Sequence, residues 1–138
     1  MKFASAFLTF ALGVATGALA SPLSRRDTGP SCTIVVTPAD GTDADAGKAA
    51  YELVYGFLVR MEDSTYPDGT TVSSISLNGP TVTDNGDGSF NAVTSLIVDG
   101  LTSGEISDII TEQWPGTWVW SADRSNPGYN WYMESTTC

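Results

Sequence analysis

Histidine is absent from this 138-residue chain, and that excludes several chemistries at once. Ser-His-acid and Cys-His nucleophilic catalysis need an imidazole to move the proton, and histidine metal centres need it as a ligand. No G-x-x-x-x-G-K-S/T run occurs, so there is no phosphate-cradling loop of that kind. Cysteine is scarce: Cys32 and Cys138 are the only two, and a metal site would need more ligands. Basic residues number 6 against 16 acids, for a formal charge of −10. Such a surface repels phosphate backbones and anionic lipid, so neither nucleic acid nor membrane is expected as a partner. Internal repeats and long low-complexity tracts are also missing.

What is present begins with a secretory signal over residues 1–20. Lys2 is followed by an apolar run from Phe3 through Val14, and Ala18 and Ala20 satisfy the small-residue cleavage rule. A membrane anchor is the competing reading, but the run is short, is interrupted by Gly13 and Gly17, and lacks a basic stop-transfer flank. Residues 21–26 (SPLSRR) resemble a short propeptide with a dibasic processing site. Cleavage after Arg26 leaves residues 27–138, a chain of 112 residues, as a single compact α+β domain. Its bases are then Lys48, Arg60 and Arg124 against all sixteen acids, a net charge of −13. The expected location is extracellular. In an oxidising compartment one disulfide joining Cys32 to Cys138 is the simple expectation, with intermolecular pairing through the terminal cysteine as the alternative.

The strongest structural signal runs from Asp43 to Asp63. Ala46, Ala50, Leu53, Val54, Phe57, Leu58 and Met61 recur at spacings of three and four, the stripe of a core-facing helix. Thr42, three residues before Asp45, suggests a capping box at its start. Cys32 to Thr37 reads as a first strand. A second strand around Val72, Ile75 and Leu77 is interrupted at Asn78-Gly79-Pro80, as a bulge would do. The turn Asp84-Asn85-Gly86-Asp87-Gly88 leads to a third strand, Phe90 to Val98. Thr102 to Glu105 forms a capping box for a second helix carrying Ile106, Ile109 and Ile110, which Pro115-Gly116 ends. Thr117 to Ala122 (TWVWSA) is a fourth strand, and Tyr129 to Met133 pairs back or covers an edge. This order matches a ferredoxin-like βαββαβ fold: an antiparallel sheet with two helices on one face, plus a C-terminal extension.

Three sets of residues invite a functional reading. Residues 83–88 resemble the middle of a calcium loop, but Thr83 and Thr94 stand where end carboxylates belong, so a plain hairpin turn is favoured and no metal or cofactor is expected. Sixteen acids make a glycosidase-like carboxylate pair available without pointing to any particular two, so no catalytic residue is assigned. The C-terminal aromatics are the third set. If Val119 faces the helices, Trp118 and Trp120 lie on the open sheet face with Val35, Val93 and Ile97, and Trp131 gathers there as a binding patch. The alternative is that these indoles are core.

Signal, dibasic propeptide, small acidic domain and βαββαβ order together resemble small secreted fungal proteins of the effector or killer-toxin kind. That resemblance implies a non-catalytic binding role outside the cell, toward an extracellular protein or a glycan, and carries over no functional residue. A homodimer through the open sheet face is a further expectation. The alternatives are a protease-inhibitor or propeptide-like module and a small carboxylate-dependent hydrolase.

Overall fold

The computed structural model describes residues 28–40, 44–66, 74–120 and 130–138. They form, in chain order, β1 (Ser31–Pro38), α1 (Ala46–Thr65), β2 (Ile75–Asp84), β3 (Phe90–Val98), α2 (Ser103–Gln113), β4 (Thr117–Trp120) and β5 (Asn130–Thr137). All strand pairs are antiparallel, in the order β2-β3-β1-β5-β4. The sheet curves into a half-barrel, and α1 touches both of its edge strands, β2 and β4.

This corrects the ferredoxin-like expectation. The architecture is α+β, but the segment taken for a C-terminal extension is β5, and it lies inside the sheet between β1 and β4. The physical reason lies in what each strand can bury. β4 has four residues and sends only Val119 fully into the core. β5 has eight, pairs with neighbours on both sides, and buries Trp131 and Met133 completely. The position beside central β1 goes to the strand that removes more apolar surface from water.

β1 and β3 alternate as half-buried strands should, with Ile34, Val36, Ala92, Leu96 and Val98 turned to the core. β2 breaks register between Asn78 and Thr81, where Gly79 has a φ of +100° that favours glycine. α1 contributes Ala49, Leu53, Phe57 and Met61, and Phe57 stacks on Trp114 at 5.5 Å between ring centroids. Val54, expected in the stripe, faces water instead, and the buried face shifts toward Glu52 and Gly56. Asp45, rather than Thr42, caps the helix, accepting from the Lys48 N–H at 2.8 Å; Thr42 lies outside the described residues. The Thr102–Glu105 capping box opens α2 with both reciprocal bonds formed.

Cys32 and Cys138 are bonded to each other, their Cα atoms 4.0 Å apart. Because Thr33 pairs with Thr137, the two cysteines fall opposite one another at the next step of the β1–β5 ladder. The bond therefore ties together two neighbouring strands at the end of their shared ladder.

Candidate functional site

Both helices pack on one face of the sheet, and the register fixes what the other face carries. Directly paired residues share a face. One row across the open side is Thr81, Val93, Thr33 and Thr137; the next is Thr83, Asn91, Val35 and Ser135. A third row ends the sheet with Thr37, Tyr132 and Trp118. Hydroxyls and the amides of Asn78 and Asn91 therefore surround the few aliphatic side chains.

The aromatic end of this face is built by alternation in two short segments. In β4, Val119 points inward, which forces Trp118 and Trp120 outward, where they stand 51% and 63% exposed. In β5, Trp131 and Met133 point inward, which forces Tyr132 outward beside Trp118, with ring centroids 5.1 Å apart and planes at 56°. On the far side of Tyr132 the Thr37 hydroxyl donates to the Glu134 carboxylate. The four groups form a continuous run: two aromatic faces, then a hydroxyl, then a carboxylate.

Two of the expected placements are corrected. Trp131 is not on the open face. It is completely buried on the helix side, edge-on to Phe90 at 5.7 Å, and its indole N–H donates to Glu52 at 2.9 Å. Nor do the remaining residues make one apolar patch. Val93 (42% exposed) and Ile97 (38%) are on β3, three strand positions from β4, a separation of about 14 Å at the usual strand spacing. Val35 sits between them, half-buried and flanked by polar neighbours. Trp118 and Trp120 are the two members of the expected set that stand together. Thr37 and Glu134 escaped the sequence reading, and Tyr132 stood among the C-terminal aromatics but not in the expected patch; once Trp131 and Met133 are known to point inward, alternation turns Tyr132 out.

The acids of the β2–β3 turn and of the α2 start serve local structure. Asp84 and Asp87 accept from the backbone of their own hairpin turn, at 2.7 Å from the Gly86 N–H and 2.9 Å from the Ser89 N–H. The Ser89 hydroxyl, and then its N–H, hold the Asp87 carboxyl below its ordinary pKa. Hydrogen bonds from the backbone and then the side chain of Thr102 do the same for Glu105. Among the described residues no group of three His, Cys, Asp or Glu is placed to hold a metal ion, and no helix is long and apolar enough to cross a membrane.

No known family, curated protein or solved structure matches the chain.

Proposed function

We propose that the protein works outside the cell as a non-catalytic binding protein, and that it recognises its extracellular partner through the β4–β5 end of the open sheet face. The observation that carries this reading is the exposure of Trp118 and Trp120 side by side in a small domain that has room for indoles in its core. Trp114 and Trp131 are both completely buried there. Large apolar groups left together in water mark interaction sites far more often than scattered ones do. Tryptophan and tyrosine are also the side chains that most often anchor a partner. The disulfide supports an extracellular location.

The test is a panel in which the disulfide-bonded protein is offered purified secreted proteins, extracellular polysaccharides, proteases and chromogenic glycosides. Retention on a protein or polysaccharide, lost in Trp118→Ala/Trp120→Ala, is the expected result. Glycoside turnover, or protease inhibition that survives the double substitution, would replace the reading with one of its alternatives.

A further inference from the structure

The distribution of charge over the fold separates the open face from the rest of the molecule. The chain carries 16 acids, yet the five strands together contain only Asp84 and Glu134 and no base. Asp84 belongs to the hairpin turn, where it is occupied by the Gly86 N–H. Glu134 is thus the one charged side chain among the described strand residues beside the aromatic pair. The helices carry more charge: α1 has Glu52, Glu62 and Asp63 with Lys48 and Arg60, and α2 has Glu105, Asp108 and Glu112. An acidic protein presents a nearly neutral face, coated with hydroxyls and closed at one end by Trp118 and Tyr132.

Resting on the binding reading above, we propose that the ligand of this face is a neutral polysaccharide. A protein partner chosen by such an acidic molecule would be basic, and basic partners seek carboxylates; among the described residues this end offers only Glu134 and, at its α1 edge beside Trp118 and Trp120, an Asp63 that is accompanied by Arg60. A pyranose ring has what the face has in complementary form. Its axial C–H groups make an apolar patch that lies flat on an indole or phenol ring, whose face carries the negative end of the quadrupole. Its equatorial hydroxyls project sideways, where the hydroxyl of Thr37 and the carboxylate of Glu134 meet them. A carboxylate accepting from a sugar hydroxyl makes a charge-assisted bond, about twice as strong as a neutral one. Trp120, two residues along β4 from Trp118, lies about 7 Å further on the same face, so the platform extends along a chain rather than around a single sugar. A second copy of this chain is the weaker occupant. A self-complementary contact would set Thr and Ser rows against each other and bury many hydroxyls, each needing a partner.

The experiment is retention of the disulfide-bonded protein on insoluble neutral polysaccharides (β-glucan, cellulose and chitin), with chitosan as the cationic arm. Each is run at low salt and at about 1 M sodium chloride, where the Debye length is about 3 Å. The expected result is retention on at least one neutral polysaccharide that salt leaves unchanged. Trp118→Ala should weaken it about tenfold or more, the effect of losing one anchor side chain. Tyr132→Ala should weaken it too, and Tyr51→Ala, a 75% exposed position on α1, should leave it unchanged. Thermal melts identify any variant that fails to fold, and since Trp118 is half exposed its variant should melt with the parent. The proposal is overturned by retention on chitosan alone that salt abolishes, by retention indifferent to Trp118→Ala, or by a dimer in sedimentation that Trp118→Ala dissociates. If no neutral polysaccharide retains the protein but a purified secreted protein binds through Trp118, the glycan assignment falls and the binding function stands. If nothing binds through Trp118, both fall.

Discussion

The buried carboxylate of Glu52 accepts a hydrogen bond at 2.9 Å from the indole N–H of Trp131, joining the middle of α1 to the one tryptophan of the C-terminal cluster that β5 turns inward. The pair is why Trp131 and Trp118 play opposite parts although they are close in sequence and belong to adjacent strands. An acceptor lowers the cost of burying the indole N–H and a donor that of burying the carboxyl group, so each makes the other's burial less costly.

Trp131→Phe should therefore destabilise the fold by about 2–4 kcal/mol, combining lost packing with a carboxylate left without its donor. Replacing Glu52 with Met in that background should recover part of the loss, because exchanging both partners for apolar groups removes the unsatisfied buried polar group. Denaturant melts of the two single variants and the double variant form the cycle. A coupling of about 1 kcal/mol or more is expected, and additivity within about 0.5 kcal/mol would contradict it.

The helices were more legible in the sequence than the sheet, for physical reasons. Leu53, Phe57 and Met61 follow a period that only one face of a helix satisfies, and Thr102 with Glu105 marks a helix start by a reciprocal bond formed within four residues. Such signals are local. The exchange of β4 and β5 is not local: either strand could lie beside β1, and their alternation reads the same in both arrangements. The decisive clue was Cys138, which must reach Cys32 and so draws the segment immediately before it alongside β1. For the site, alternation put Trp118 and Trp120 on one face but did not fix Trp131, whose direction depends on pairing with Val119 on the neighbouring strand. Glu52 was missed because a glutamate inside a helical stripe ordinarily marks solvent, and its partner lies 79 residues away.

Gly56 shows how closely α1 approaches the strand that carries the exposed indoles. A Cβ added there would lie 2.7 Å from the backbone carbonyl oxygen of Trp120. Alanine is the better helix former by about 1 kcal/mol, yet Gly56→Ala should destabilise the protein, because a strand backbone cannot move aside as a flexible side chain can. Overpacking of this kind costs about 1–3 kcal/mol. A melt showing Gly56→Ala to be more stable than the parent would sink the argument.

The bridge between Cys32 and Cys138 spans a sequence separation of 106. In the chain-entropy view, closing a loop of that size removes up to about 4–5 kcal/mol of freedom from the unfolded state. Cys32→Ala/Cys138→Ala should accordingly lower the unfolding midpoint by an amount that accounts for much of a small domain's stability, and intact-mass and free-thiol measurements on the parent should find no titratable thiol. A double variant as stable as the parent would show that the β1–β5 ladder holds without the bond.

Glu105 sets the last expectation, which concerns acid. Its carboxyl is held below its ordinary pKa by the backbone and then the hydroxyl of Thr102. A carboxylate whose folded-state pKa is depressed gives the folded state an advantage that is complete above the unfolded value, around pH 4–5, and disappears as pH falls through the folded value. Glu105→Gln removes the charge and with it the titration. The variant should be less stable than the parent at neutral pH, and the gap should narrow as the solution is acidified below about pH 4, rather than widen. Asp87, lowered by Ser89, acts in the same direction, so the parent keeps an acid-sensitive limb that Glu105→Gln only reduces. Unfolding midpoints of parent and variant measured from neutral pH into acid give the comparison, and a gap independent of pH would show that the Thr102 bonds do not favour the ionised form of Glu105.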